Sequence, residues 1–387
     1  MRDFSFYCPT EIIFGKDAEF KTADAALRHG GSRLLLVYGG GSAEKSGLLD
    51  RLRSGIEELK LTCGLLGGVQ PNPRLGLVRK GIDMALDMRA DMIVGVGGGS
   101  AIDTAKAIAH GAANPGRDVW DFWLQKEILA KTLPVGAVVT IPAAGSETSD
   151  SAVITNETTG KKMGLNTPLN RPVFAIMNPA LAATLPAYQA ACGVTDIFMH
   201  TLERYFSPFS DNTFTDEIAE ALMRVVIRYG PRVLKDPSDY EAMSEIMWCA
   251  SVSHCDLTGL GGIKDFSNHK LGHELGAKFD KPHGATLSAL WESWARYVLQ
   301  KNPERFIKYA GNVWGLKTAG EGIERTVEFF RSLGMPTCLS ELGIGRLSDT
   351  ELDDLALSCT NGKTRTIGSL MKLDCNDVKS IYALANR

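Results

Sequence analysis

Residues 92–113, MIVGVGGGSAIDTAKAIAHGAA, decide the fold of the first half of the chain. The short apolar run 92–96 is rich in valine and isoleucine, which predicts a buried strand. Gly97, Gly98 and Gly99 follow directly, and Ser100 can cap a helix that begins there. Glycines let a ligand approach the backbone closely, and a helix N-terminus offers unbonded N–H groups to an anion. The stretch therefore predicts a strand–turn–helix unit whose turn can bind phosphate groups.

The same alternation of strand and helix continues on both sides of this stretch. Further strands are predicted at RLLLVYGGG (33–41), TCGLLGG (62–68) and AVVTIP (137–142), and helices at 43–59 and 75–88. This order predicts a parallel sheet covered on both faces, and right-handed crossovers restrict it to a doubly wound, Rossmann-like α/β fold. From about Pro186 onward, long segments with a period of 3.6 residues predominate. We therefore predict an α/β dinucleotide-binding domain at 1–183 and an all-α metal-binding domain at 184–387.

Length and composition are consistent with a two-domain globular protein. The chain has 387 residues, 44% hydrophobic and 22% charged residues, and a net charge of −3. That charge gives no reason to expect nucleic acid as a partner, and no apolar run reaches the roughly 20 residues that span a membrane. The eight cysteines are scattered without a C-x-x-C pair, which predicts free thiols and a cytoplasmic location.

Four residues in the second half form a candidate metal site. Asp196 and His200 are four residues apart, so a helix would project both from one face. His269 and His273 have the same spacing, and His283 follows ten residues later. Imidazole and carboxylate ligands suit ions such as Fe²⁺ and Zn²⁺, and the absence of nearby thiolates argues against a closed structural zinc site. Either pair alone is also typical of an ordinary polar helix surface.

A second glycine turn bears on the choice of cofactor. Gly39, Gly40, Gly41 and Ser42 end an earlier predicted strand, where NAD-preferring sites commonly place a carboxylate for the ribose 2′-hydroxyl. Glycine leaves room for a 2′-phosphate, Ser42 can donate a hydrogen bond to it, and Lys45 adds positive charge nearby. These residues favour NADP(H) over NAD(H), whereas the alternative interpretation is a flexible turn.

Together these motifs resemble the iron-containing (group III) alcohol dehydrogenase family over nearly the whole chain. The resemblance rests on PTEIIFG (9–15), GGVQPNP (67–73), VGVGGGSAIDTAKAIA (94–109), TIPAAGSETS (140–149), the helix with Asp196 and His200, and HKLGHELGAKFDKPHG (269–284). Within the family, YGGGSAEKSG (38–47) is most similar to the NADPH-dependent butanol dehydrogenase and broad-range aldehyde reductase branch.

The resemblance implies residue roles. The metal ligands map onto Asp196, His200, His269 and His283, with Fe²⁺ expected and Zn²⁺ or Mn²⁺ as alternatives. His273 maps to a position near the substrate, where it either transfers a proton or supports the metal site. The remaining cofactor contacts map onto Gly97, Gly98, Gly99, Ser100, Asp103, Thr140 and Lys162.

The implied activity is hydride transfer between a nicotinamide cofactor and a primary alcohol or aldehyde of the butanol type. A homodimer is expected from the family. Three alternatives stay open at this point: an NAD-preferring enzyme for a polyol or diol such as glycerol or propanediol, a lyase resembling dehydroquinate synthase, and a non-catalytic nucleotide-binding protein.

Overall fold

A computed structural model describes residues 2–209 and 211–387. The described residues form two compact units. One unit is Tyr7–Thr184, and the other is Leu185–Arg387 together with the described residues that precede Tyr7. Among the described helices, none combines the length and the apolar character that crossing a membrane requires.

The unit Tyr7–Thr184 contains a parallel sheet, as predicted, and its six strands lie in the order β1–β8–β5–β4–β2–β3. Apolar residues of the sheet pack into a core on each face, which explains why strands such as β2 are buried almost throughout. The strands of the sheet are β1 (Glu11–Phe14), β2 (Arg33–Tyr38), β3 (Thr62–Leu66), β4 (Met92–Gly97), β5 (Val135–Val139) and β8 (Phe174–Met177).

Six helices accompany this sheet. They are α1 (Thr22–Arg28), α2 (Ser42–Lys45), α3 (Leu48–Glu58), α4 (Leu75–Asp87), α5 (Gly99–Ala113) and α6 (Trp120–Trp123). The single helix predicted at 43–59 is divided into α2 and α3, because Gly47 adopts a φ of 68° and ends the first helical segment.

A two-stranded antiparallel sheet was not predicted. It consists of β6 (Ser151–Asn156) and β7 (Lys161–Asn166), joined by a turn at 157–160. The alternation of polar and apolar residues in SAVITN is the signal that could have indicated it. The hairpin is tied to the parallel sheet's helices, since the Glu157 carboxylate accepts hydrogen bonds from the N–H groups of Leu75 and Gly76 at the start of α4.

The strand order places the two glycine turns at a reversal of the topology. Strand β2 lies between β3 and β4, and the chain continues from β2 towards β3 but from β4 towards β5 on the opposite side. The segments that follow β2 and β4 therefore diverge and leave a crevice at their carboxyl ends. Open α/β sheets bind ligands at such a switch point.

The second unit is helical, as predicted. Its helices are α7 (Ala187–Tyr205), α8 (Thr213–Lys235), α9 (Tyr240–His254), α10 (Ser267–Phe279), α11 (His283–Val298), α12 (Pro303–Tyr309), α13 (Ala319–Ser332), α14 (Asp349–Cys359) and α15 (Cys375–Ala385), with a π-helical turn at Ala310–Trp314. Helix α7 packs against α8, α9 and α11, and α10 packs against α11. All eight cysteines are described, and each is a free thiol.

The buried His110 of α5 predicts a pH dependence of stability. Its ring lies 2.7 Å from Thr132 Oγ1 and 2.7 Å from Asn170 Oδ1, and burial lowers its pKa to about 4. An unfolded chain, with a histidine pKa near 6.5, binds this proton below pH 6.5 whereas the folded chain does not. The neutral ring therefore makes its full contribution to the free energy of unfolding above pH 6.5, and this contribution decreases as the pH falls towards 4.

We expect the wild-type protein to lose about 2 kcal/mol more free energy of unfolding between pH 8 and pH 5 than a His110→Gln variant loses. Urea titrations at the two pH values measure the difference. Parallel pH profiles for the two proteins would contradict this assignment.

Candidate metal centre and cofactor turns

Helix α7 presents three acidic or imidazole side chains on one face. Asp196, His200 and Glu203 are spaced by four and three residues, so they lie one above the other along the helix. Asp196 and His200 are each 4% exposed, and Glu203 is fully buried. Such residues are rarely buried unless they are paired or bind a metal.

Helices α10 and α11 bring two further histidines to this face. His269 lies in the first turn of α10, and His283 is the first residue of α11. A Cβ atom on Gly284 would be 2.2 Å from the backbone oxygen of Cys192, so glycine alone lets the start of α11 come this close to α7. Cys192 is one helical turn before Asp196, and the contact therefore places His283 beside Asp196.

The donor atoms of Asp196, His200, His269 and His283 lie within 4.8 Å of one another. The Nε2 atoms of His200 and His269 are 3.3 Å apart, and Asp196 Oδ1 is 3.4 Å from His200 Nε2 and 3.6 Å from His283 Nε2. Donor atoms that share an ion at about 2.1 Å are separated by roughly 3.0–3.4 Å in octahedral or tetrahedral geometry. The four residues therefore fit a divalent ion such as Fe²⁺, Zn²⁺ or Mn²⁺.

The electrostatic setting keeps the imidazoles in the form that binds metals. Burial, followed by the neighbouring His254 and His269, holds the pKa of His200 well below its usual value, so the ring is neutral. The His269 ring faces His200 through Nε2, and its other nitrogen, Nδ1, lies 2.7 Å from Glu203 Oε1. Burial and the Asp265 carboxylate raise the pKa of Glu203 well above its ordinary value.

Two more histidines flank the four donors. The His254 ring, at the end of α9, lies 4.2 Å from the His200 ring between centroids. The His273 ring lies 5.1 Å from that of His283 and 6.4 Å from that of His269. The structure thus places His273 beside the candidate metal site and outside the four-donor set, and its role stays a prediction.

The turn between β4 and α5 forms a cradle in the other unit. Gly97 adopts a φ of 151°, and a Cβ atom on Gly98 would be 3.0 Å from the Ile141 side chain. Helix α5 begins at Gly99, so the N–H groups of Gly99 and Ser100 are directed at an anion, whereas those of Ala101 and Ile102 donate to the Gly98 oxygen. These features fit the pyrophosphate of a dinucleotide.

Asp103 and Lys106 fix this turn to a neighbouring loop. Asp103 Oδ1 accepts a hydrogen bond from Ser146 Oγ at 2.5 Å, and Oδ2 accepts one from the Val153 N–H at 2.8 Å. The fully buried Lys106 donates to Ser146 Oγ at 2.8 Å and to the Ser151 oxygen at 2.8 Å. Asp103 was predicted to contact the cofactor; in the structure Oδ1 holds the loop at 144–150 and Oδ2 holds strand β6.

The turn after β2 places Ser42 and Lys45 at the surface. Gly41 has a φ of 79° and precedes Ser42, the first residue of α2. Ser42 and Lys45 are three residues apart and share a face of this short helix. Glu44, the acidic residue of α2, accepts a hydrogen bond from the Tyr38 hydroxyl at 2.7 Å.

The remaining predicted cofactor residues lie in the same unit. The N–H of Thr140 donates to the Gly97 oxygen at 3.0 Å, which joins the segment after β5 to the glycine turn. Lys162, in β7, donates to Asn72 Oδ1 at 2.9 Å. Both residues therefore adjoin the segments that follow β3, β4 and β5.

Sequence reasoning missed three residues of these sites. Glu203 was detectable, because it continues the spacing of Asp196 and His200 on α7. Lys106 was detectable as the single charged residue amid the alanines of α5 after Asp103. His254 had no local signal, because only the packing of α9 against α7 brings it to His200.

Two family models together match most of the chain. Residues 9–179 match the model described as iron-containing alcohol dehydrogenase, and residues 189–385 match the C-terminal model of the Fe-containing alcohol dehydrogenase family.

Individual proteins are similar over their full length. The chain is 37% identical to NADH-dependent butanol dehydrogenase A of Clostridium acetobutylicum, with 99% of each chain covered. It is 35% identical to the NADPH-dependent aldehyde reductase YqhD of Escherichia coli, with 89% of this chain and 90% of the relative covered. The crystal structure of an NADH-dependent butanol dehydrogenase A from Thermotoga maritima matches with a TM-score of 0.95 at 31% identity, covering 100% of this chain and 99% of that one.

The geometry of the four donors predicts the effect of removing one of them. We expect Asp196→Ala and His269→Ala to weaken metal binding by more than the roughly 10–100-fold that loss of an outer-sphere partner costs. His273→Ala should retain one metal ion per chain, and His29→Ala, a change at a half-buried histidine of the α/β unit, is the matched control. Metal content after dialysis measures all four variants. Stoichiometric metal in His269→Ala would contradict the proposed ligand set.

Proposed function

The chain belongs to the iron-containing alcohol dehydrogenase family, and we propose that it is an NADP(H)-linked enzyme that interconverts a short-chain aldehyde and its primary alcohol. The observation that carries the proposal is the cluster of Asp196, His200, His269 and His283. Imidazole and carboxylate donors are typical of iron sites that keep coordination positions open for a substrate.

A metal ion and a nicotinamide cofactor would each supply part of the chemistry. A divalent metal ion supplies Lewis acidity at the substrate oxygen, and the nicotinamide supplies or accepts the hydride. The chain's own residues position these groups. Asp196 and the three ligand histidines fix the ion, while the turn 97–100 and the helix α5 fix the pyrophosphate.

His273 is the proposed proton donor. Aldehyde reduction leaves negative charge on the substrate oxygen, and imidazole exchanges protons near neutral pH. The His273 ring lies beside His283 but outside the donor set, so it can donate a proton to the substrate oxygen without binding the ion. The alternative role is packing support for His283, in which case its removal would weaken metal binding.

The choice between NADP(H) and NAD(H) depends on the turn after β2. Among the relatives, butanol dehydrogenase A is named as NADH-dependent and YqhD as NADPH-dependent. Ser42 and Lys45 offer a hydrogen-bond donor and a positive charge to a 2′-phosphate. The Tyr38 hydroxyl donates to one oxygen of Glu44, a nearby carboxylate whose negative charge would repel a 2′-phosphate. The preference for NADP(H) therefore rests on Ser42 and Lys45.

Membership of the family favours an oxidoreductase over the lyase and the non-catalytic protein. The second candidate is an activity on a diol or polyol with NAD. It is favoured by a 1,3-propanediol dehydrogenase that is 28% identical to this chain. The homodimer and the cytoplasmic location stay predictions.

The proposed activity is tested with protein stripped of metal and reloaded with Fe²⁺, Zn²⁺ or Mn²⁺. We expect oxidation of NADPH by butyraldehyde with reloaded protein and none with stripped protein, because a bound ion would supply the Lewis acidity that the reaction needs. Absorbance at the nicotinamide band measures the rate. Oxidation of 1,3-propanediol with NAD⁺ in the absence of butyraldehyde reduction would favour the second candidate instead.

The cofactor preference is tested by reversing the charge of Lys45. We expect Lys45→Glu to weaken NADP⁺ binding about tenfold, because a carboxylate replaces an ammonium group near the 2′-phosphate. NAD⁺ binding should change less than about twofold, since that cofactor lacks the phosphate. Lys80→Glu, an exposed change on α4, controls for net charge. Calorimetric titrations give both constants, and equal effects on the two cofactors would contradict the assignment.

A further inference from the structure

We infer that Glu203 is a positioning residue that fixes the orientation and tautomer of His269 for metal binding. The inference rests on the proposed metal site and adds a residue outside the four-donor set. Glu203 does not itself offer a donor atom to that set.

Glu203 contacts His269 on the side of the ring that faces away from the other donors. The carboxylate Oε1 is 2.7 Å from His269 Nδ1, whereas His269 Nε2 lies 3.3 Å from His200 Nε2. The two ring nitrogens are therefore used differently. One contacts a buried carboxylate, and the other points into the donor cluster.

This division determines which nitrogen carries the proton. The positive charge of a bound ion would favour the ionised form of Glu203. An ionised carboxylate only accepts hydrogen bonds, so Nδ1 would then carry the proton and donate it to Oε1. The lone pair of Nε2 then faces His200 and the rest of the donor set. The other tautomer would place a hydrogen on Nε2, directed at the position that the ion requires. A carboxylate behind a ligand histidine also makes the ring a stronger donor.

The location of Glu203 on α7 fixes the position of its carboxylate relative to His269. Glu203 follows His200 by three residues, so one helix carries Asp196, His200 and the group that orients His269. The backbone N–H of Asp265, just before α10, also donates to the Glu203 backbone oxygen at 2.9 Å. The start of α10 is thus fixed to α7 through both main chain and side chain.

A purely structural role makes a different prediction. Removal of a buried charge that only supports the fold would destabilise the metal-free protein and leave the intrinsic metal affinity unchanged. Removal of a positioning residue lowers metal affinity even where the metal-free protein is equally stable, because the unpartnered ring can turn or change tautomer. Metal affinity therefore separates the two roles, and turnover is not needed.

The test compares Glu203→Gln and Glu203→Leu in the full chain, with Glu220→Gln as the control. Glu220 is also a buried carboxylate of the helical unit, and its Oε1 accepts from Tyr205 at 2.8 Å and Asn312 at 3.0 Å. Zn²⁺ affinity is measured by competition with a chromophoric chelator, and the Co²⁺ absorption spectrum reports the geometry of the donors. Thermal unfolding of the metal-free proteins reports the fold.

We expect Glu203→Leu to weaken Zn²⁺ binding by about 10–100-fold and to alter the Co²⁺ spectrum. Glu203→Gln should weaken it less, because the amide oxygen can still accept from Nδ1. Should the leucine variant fail to fold, the glutamine variant still tests the inference through its affinity and spectrum. If the folded Glu203 variants bind Zn²⁺ with affinities within twofold of wild type, the inference about Glu203 is overturned and the proposed metal site is not. A wild-type protein that binds neither Zn²⁺ nor Co²⁺ would overturn the metal site as well.

Discussion

The close approach of α11 to α7 is the constraint on which the candidate metal site depends. The backbone oxygen of Cys192 lies only 2.2 Å from the position of a Cβ atom on residue 284, so only glycine permits this separation. A larger residue would force the two helices apart and move His283 away from Asp196. The second close approach, between α10 and α11, also uses a glycine, since a Cβ on Gly272 would be 2.9 Å from Thr286 Oγ1. Two glycines thus bring donors from three helices within reach of one ion.

The α/β unit relies on an analogous contact between strand and helix. A Cβ atom on Gly95 would be 2.8 Å from the Cα of Ile102, so β4 and α5 pack backbone against backbone. This contact directs the start of α5 at the crevice where the chain reverses between β2 and β4. Lys106 then ties α5 to the loop that follows β5, although burial of a lysine is costly and lowers its pKa to about 8. Three hydrogen bonds to Ser146, Ser149 and Ser151 offset that cost.

Much of the fold was predictable because the strands of a doubly wound sheet are continuous apolar runs ended by glycines. The positions of β2, β3, β4 and β5 followed from such runs, and the helical second half followed from its period of 3.6 residues. β1 and β8 were missed because four-residue strands give little periodic signal. The break between α2 and α3 depends on the positive φ of Gly47, which a helical pattern does not reveal.

The candidate metal site was predictable in its membership and not in its surroundings. Asp196 and His200 are four residues apart, as are His269 and His273, so the sequence displays both pairs directly, and His283 was assigned with them. Their mutual distances, by contrast, depend on packing between helices that are distant in sequence. His254 shows this most clearly, because its contact with His200 joins α9 to α7 without any local motif. Glu203 is intermediate: its spacing is visible in the sequence, but its contact with His269 requires the fold.

Diffraction at a metal absorption edge tests the central claim most directly. Crystals of the protein loaded with Co²⁺ or Zn²⁺ would give anomalous difference maps on both sides of the edge. The account predicts one strong peak bonded to Asp196, His200, His269 and His283, with His273 and Glu203 outside bonding distance. A peak at other residues, or no peak in protein that is saturated with the ion in solution, would contradict it.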